Sequence, residues 1–84
     1  MEIISIDGIV INTLKYGESS KIINILTREK GVIGVIAKGA LKEKSKLRVI
    51  SNNFIYANFQ LYYKENKLGT LISADIKNNF LNIK

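Results

Sequence analysis

Alternation of apolar and polar side chains is clearest between Phe54 and Lys64, read as FIYANFQLYYK. Alternate residues are almost all apolar, and the residues between them carry polar groups. This is the period of a β-strand with one buried and one solvated face. The segment therefore predicts a strand, the fourth of five. Its buried face is expected to comprise Ile55, Ala57, Phe59, Leu61 and Tyr63, and its wet face Tyr56, Asn58, Gln60 and Tyr62.

Four further segments are dense in β-branched residues and predict the other strands. They are Ile9–Lys15, Lys21–Arg28, Val32–Lys38 and Leu68–Ile76. Gly17 and Gly31 lie in the turns between the first three, where glycine can take a left-handed backbone. Gly34 inside the third strand predicts a bulge or a sharp bend. Residues 1–7 are mixed in character, and residues 42–50 fit either an irregular loop or one short helix.

The order of elements is three strands, a longer connection and two more strands, which predicts an all-β fold. A five-stranded antiparallel sheet of this size would leave long apolar edges bare, and closure into a small barrel removes them. The pattern suits a five-stranded antiparallel OB-fold barrel, with an SH3-like or Sm-like barrel as the alternative. With 84 residues, we expect one domain over residues 1–80 and a tail, 81–84, leading towards a missing C-terminal region.

The first two strands are apolar on both faces, which a small self-contained barrel does not need. Val10 and Leu14 supply the second face of one strand, and Ile22 and Leu26 that of the next. We therefore expect the outer face to dock onto more of the same polypeptide or onto a partner.

The strongest charge feature follows the third strand, where five cations fall in eleven residues and only Glu43 opposes them. The whole chain has 13 Lys and Arg against 7 Asp and Glu, a net charge of +6. A rigid strand that leads into a cationic loop is suited to binding a polyanion, and nucleic acid is the leading candidate. The predicted cation cluster is Lys38, Lys42, Lys44, Lys46 and Arg48, possible extensions being Lys15, Lys21 and Arg28.

Aromatic residues add a second binding signal. Tyr16 lies in the first predicted turn, and Tyr56 and Tyr62 lie on the wet face of the fourth strand. Exposed aromatic rings stack on unpaired bases. A small barrel without a long helix favours single strands over duplex, because nothing is available to enter a major groove.

Catalysis and metal binding find little support in the composition. The chain has no histidine and no cysteine, which leaves no imidazole base and no thiolate zinc site. No glycine pattern of the P-loop type is present. We expect no enzymatic activity, no cofactor and no small-molecule substrate. No apolar run reaches the ~18 residues of a membrane span, and Glu2 and Asp7 stand where a signal peptide would be basic. We expect a soluble, intracellular protein.

Five short motifs occur in order along the chain. They are Gly8–Ile11, Tyr16–Ile22, Leu26–Gly31, Ala37–Ala40 with Lys44–Lys46, and Leu68–Leu71. In order and spacing they resemble the N-terminal domain of the bacterial recombination mediator RecO, over about Gly8 to Ile76. Ser20 stands where that family usually has Asp.

This resemblance implies an OB-fold that binds single- and double-stranded DNA and helps to anneal complementary strands in recombinational DNA repair. It implies RecR and the single-stranded DNA-binding protein as partners, and a cytoplasmic location with the bacterial nucleoid. Family members continue into a helical region, often with a cysteine zinc site. The resemblance carries over Lys38, Lys44 and Lys46, whereas Lys42 and Arg48 are added by charge alone. From the residues themselves, two alternatives stay open: a protein-interaction or assembly barrel with incidental charge, and an RNA-binding small barrel.

Overall fold

A computed structural model describes residues 2–42 and 47–79. Within these ranges five strands form a closed barrel, and one short helix lies between the third and fourth strands. Lys44, Lys46 and the predicted tail lie outside the described residues. The strand order around the barrel is β1-β2-β3-β5-β4, the arrangement of the predicted OB-fold. The elements are β1 (Glu2–Tyr16), β2 (Ser20–Thr27), β3 (Gly31–Ala37), α1 (Leu47–Ile50), β4 (Ile55–Tyr63) and β5 (Gly69–Asn79).

The barrel departs from the prediction at the seam where it closes. Within the described ranges, four neighbouring strand pairs are antiparallel, but β3 and β5 run parallel. A closed ring with an odd number of strands cannot alternate in direction all the way round, so one parallel pair is unavoidable. The predicted five-stranded OB-fold barrel is therefore confirmed, and its antiparallel description holds for every neighbouring pair of described strands except this one. The seam comprises two residue pairs, Val35 with Gly69 and Ile36 with Thr70.

Strand β1 is longer than predicted because it serves both halves of the barrel. Residues 2–9 pair with β4 and residues 8–16 pair with β2. The two pairings meet at Gly8, where a Cβ would collide with the Ile25 side chain and lie 2.9 Å from the Leu26 carbonyl oxygen. The sequence suggested a strand beginning after Gly8. Instead, this glycine lies inside the strand and allows β2 to approach closely.

The interior is filled by the residues that the alternation assigned to it. Phe59 is fully buried and pairs with Ile6 on one side and Ala74 on the other. The predicted inner face of β4 is confirmed, with Tyr63 partly buried at its end. The buried apolar side chains are Ile6, Val10, Ile23, Ile25, Ile33, Val35, Ala37, Ala40, Ile55, Ala57, Phe59, Leu61 and Leu71.

The β-bulges occur at positions that the sequence did not predict. The predicted bulge at Gly34 is wrong, because the β2–β3 register is continuous through its pairing with Asn24. Glycine at this position instead avoids a steric conflict, because a Cβ there would lie 2.9 Å from the Leu68 side chain. The register shifts instead at Ile11 on β1 and at Ile72 and Lys77 on β5.

The shift at Ile11 changes which residues face outwards. Val10 points into the core, whereas Leu14 is 64% exposed, so these two residues do not share a face as their spacing suggested. Outside the barrel, Leu14, Ile22 and Ile36 are cross-strand neighbours. A second row on the same outer surface contains Ile9, Leu26 and Val32.

No helix in the described ranges is long and apolar enough to cross a membrane.

Candidate nucleic-acid interface

Cations from separate segments of the chain meet at one end of the barrel. Lys15 and Lys21 are directly paired across β1 and β2. Lys21 is also paired with Ala37, and Lys38 follows immediately. We call this region the cationic end and define it, among the described residues, as Lys15, Lys21, Lys38, Lys42 and Arg48.

The connection after β3 is fixed to the β1–β2 turn and to the start of β2 by two hydrogen bonds that backbone amides donate. The Leu41 amide donates to the Ser19 carbonyl oxygen at 2.8 Å, and the Gly39 amide donates to Ser20 Oγ at 3.1 Å. Ser20 thus supplies an oxygen acceptor, the role an Asp side chain would also fill. The backbone around Lys38 and Lys42 is held, while both side chains are exposed.

Lys21 is the most constrained cation at this end. Its Nζ donates a hydrogen bond to Asn52 Oδ1 at 3.3 Å, and its side chain is partly buried. Burial lowers the pKa of Lys21 from its ordinary value of 10.5, and the charge of Arg48 lowers it further. Like charges placed opposite each other on neighbouring strands are destabilising. The cationic end therefore costs the free chain stability, which an anion can restore.

Removing the Lys21 charge should strengthen the fold and weaken binding. A lowered folded-state pKa means that charged Lys21 destabilises the fold at neutral pH, and this cost disappears only as the pH rises towards 10.5. We expect Lys21→Met to raise the melting temperature in the absence of ligand. Its affinity for oligothymidine should fall about 5-fold at 0.1 M salt, the loss of one phosphate contact. Lys67→Met, at an exposed site in the β4–β5 turn, is the control. A lower melting temperature for Lys21→Met would contradict this account.

Arg28 and Tyr56 lie apart from the cationic end. Arg28 follows β2, seven residues beyond Lys21, which corresponds to roughly 23 Å of strand. With Tyr56 it lines a surface groove of about 670 Å³ whose walls include Leu26 and Glu29. The fold thus brings these two predicted residues together, but as a second surface. Their role in binding stays a prediction.

The tyrosines differ in how far their rings are available. Tyr16 is 49% exposed beside the cationic end, at the β1–β2 turn. Tyr56 is partly buried, and Lys77 Nζ lies 5.8 Å from the centre of its ring, within the range of a cation–π contact. Of these two, Tyr16 is the better placed to meet a base next to bound phosphates.

The positive charge of Lys77 on β5 is compensated by Asp7 on β1. Its Nζ lies 2.9 Å from Asp7 Oδ2, and Asn58 Nδ2 donates to Asp7 Oδ1 at 2.9 Å. The Asn58 hydrogen bond, followed by that from Lys77, holds the pKa of Asp7 below its ordinary value of 3.8. Lys77 therefore does not add to the cationic end.

Sequence reasoning missed two residues near this end. Phe54 was assigned to the fourth strand, but β4 begins at Ile55, and Phe54 has a left-handed backbone with φ of 66°. The neighbouring Asn52–Asn53 pair is typical of a turn and was the signal that could have moved it out of the strand. Asn52 was also missed, although it contacts Lys21.

The five-stranded closed barrel in this strand order belongs to the OB-fold class of small barrels. Residues 1–80 match the family described as Recombination protein O N terminal. The chain belongs to this family.

Curated relatives agree with that assignment. The DNA repair protein RecO of Bacillus subtilis is 51% identical over 70 residues, covering 83% of this chain and 27% of the relative. RecO of Halalkalibacterium halodurans is 40% identical over 78 residues, covering 93% of this chain and 30% of the relative. RecO of Listeria monocytogenes is 42% identical over the same length and shares of both chains. The chain thus spans less than a third of the length of these relatives.

Proposed function

We propose that this chain is a DNA-binding module of a recombination mediator, which attaches to single- and double-stranded DNA through phosphate contacts. One observation carries the proposal: five described cations from β1, β2, the β3–α1 connection and α1 meet at one end of the barrel. Phosphate contacts supply affinity without reading sequence. Helix α1 has only four residues, so it offers no recognition helix for a major groove.

Charge neutralisation connects this binding to strand annealing. Two complementary strands repel each other through their phosphates, and a cationic surface that holds one strand reduces the cost of bringing up the second. The module would support annealing in recombinational DNA repair without enzymatic activity of its own. The relatives are bacterial DNA repair proteins by name, which supports the proposal of a cytoplasmic location with the nucleoid. RecR and the single-stranded DNA-binding protein are its proposed partners.

A salt titration tests the phosphate contacts. Five single-strand phosphate contacts give a slope of log affinity against log salt near −3.5, so affinity should fall about 100-fold between 50 and 200 mM salt. Fluorescence anisotropy of labelled oligothymidine measures this slope directly. A labelled duplex and an RNA oligomer of matched sequence complete the series. Tighter binding to RNA would favour the RNA-binding alternative, because only RNA offers a 2′-hydroxyl group.

The second candidate is a protein-interaction or assembly barrel, favoured by the apolar outer rows. Leu14 is 64% exposed, Val32 55% and Leu26 46%, and apolar residues grouped on a sheet face commonly mark an interface. No binding of oligothymidine at 50 mM salt would contradict the DNA-binding proposal and favour this candidate.

A further inference from the structure

Left-handed backbone conformations single out one residue of the described chain. Among residues 2–42 and 47–79, positive φ occurs at Gly17, Gly31, Gly39, Asn66 and Phe54. Glycine and asparagine adopt this conformation at little cost, whereas a bulky side chain there is a true outlier. Four of the five positions therefore have the residue that the backbone prefers, and Phe54 does not.

The surrounding structure imposes this conformation on Phe54. Its amide donates to the Val10 carbonyl oxygen at 2.7 Å. The next residue, Ile55, is 1% exposed in the core, and Ser51 on the other side is fully buried. Ser51 Oγ donates to the Leu47 carbonyl oxygen at 2.6 Å. The segment is thus anchored on both sides of Phe54, and the backbone cannot relax around it.

Packing does not explain why phenylalanine occupies this site. The residue remains 55% exposed, so more than half of its surface is left open to a partner. Backbone strain of this kind is typical of functional sites, where the surrounding structure holds a residue in place for a ligand. A half-exposed ring on a fixed backbone loses little conformational freedom when it binds a flat partner.

Phe54 is also close to the cationic end. Asn52 lies two residues before it, within about 7 Å along the chain, and accepts a hydrogen bond from Lys21. A single DNA strand whose phosphates contact Lys21 and Arg48 would therefore bring its bases near the Phe54 ring.

We propose that Phe54 is a stacking platform for one unpaired base of a single strand bound at the cationic end. This inference rests on the proposed function and adds a preference for single strands. In duplex DNA the bases are already stacked on each other, so the ring has no free base face to meet. The chain would hold both forms by their phosphates but bind the unpaired form more tightly.

A tryptophan at this site reports stacking directly, because the natural chain contains none. We expect the fluorescence of Phe54→Trp to be quenched as oligothymidine saturates the protein and to change little with duplex. Val32→Trp is the matched control, since Val32 is equally exposed, at 55%, on the outer face of β3. Its fluorescence should stay nearly constant. Equal quenching in both variants, or none in Phe54→Trp despite binding seen by anisotropy, would overturn the proposal.

Phe54→Gly separates the ring from the fold. Glycine suits a φ of 66°, so the melting temperature should not fall. Oligothymidine affinity should drop about 5- to 150-fold, the loss of one stacked base, while duplex affinity stays the same and Phe54→Tyr binds like the natural chain. Unchanged oligothymidine binding by Phe54→Gly, or an equal loss on duplex, would overturn the stacking role alone. Failure of the natural chain to bind DNA at all would instead overturn the proposed function.

Discussion

Replacing Lys21, Lys38 and Arg48 with glutamine is expected to weaken oligothymidine binding about 100-fold at 0.1 M salt. Each phosphate contact to a single strand releases about 0.7 of a counterion, worth roughly 5-fold in affinity at this salt concentration, and three contacts multiply. The slope of log affinity against log salt should shrink from about −3.5 to about −1.4. Because phosphates carry no base identity, the loss should be similar for every sequence.

The control for this variant changes the same amount of charge elsewhere. Lys30, Lys64 and Lys67 are exposed around the β2–β3 and β4–β5 turns, where Glu29 and Glu65 are their neighbours. Replacing these three lysines with glutamine should reduce affinity only slightly through the lower net charge. Equal losses in the two triple variants would show that net charge, and not the cationic end, governs binding.

Phe59→Ala should destabilise the fold more than any other substitution considered for this chain. The ring is fully buried at the centre of the barrel between β1 and β5. Removing a buried phenylalanine costs about 3–5 kcal/mol, against a total stability of about 5–15 kcal/mol for a small domain. Urea denaturation followed by circular dichroism measures the change. On heating, DNA binding should then be lost at a lower temperature than in the natural chain, and it should be restored on cooling.

Tyr62→Ala is the control for Phe59→Ala. Tyr62 lies on the outer face of the same strand and is 40% exposed, so its truncation should cost well under half as much. A loss of stability for Phe59→Leu that lies between those for Tyr62→Ala and Phe59→Ala would support a cavity effect. Similar losses for Tyr62→Ala and Phe59→Ala would contradict the assignment of the two faces of β4.

Local periodicity predicted the strands well where one face is buried and the other solvated. The inner face of β4 follows from alternation alone, because each side chain meets either the core or water. The left-handed turn at Gly31 was equally readable. Prediction failed at Gly8 and Gly34, where glycine avoids a clash with a residue distant in sequence. Such tertiary contacts leave no local pattern.

The candidate site could be predicted from the sequence only in part, for the same reason. The charge run after β3 is contiguous in sequence, so Lys38 and Lys42 were evident. Lys15 and Lys21 join it through strand register, which in turn depends on the turn between them. Arg28 looked equivalent by charge, yet the length of β2 carries it to the far end of the barrel. Phe54 could be identified as a candidate only from its backbone angle φ, which the sequence does not give.

The two-pair seam between β3 and β5 has a dynamic consequence. Every other strand pair is joined by at least seven residue pairs, so thermal opening of the barrel costs least at Val35 and Ile36. Those residues lie only a few positions before Lys38. The barrel can therefore open between β3 and β5 into a curled sheet whose antiparallel strand pairs stay intact. The basic connection after β3 moves with that edge. Among the described strand pairs, the cationic end thus lies beside the one with the fewest paired residues, which suits the proposed binding of a flexible DNA strand.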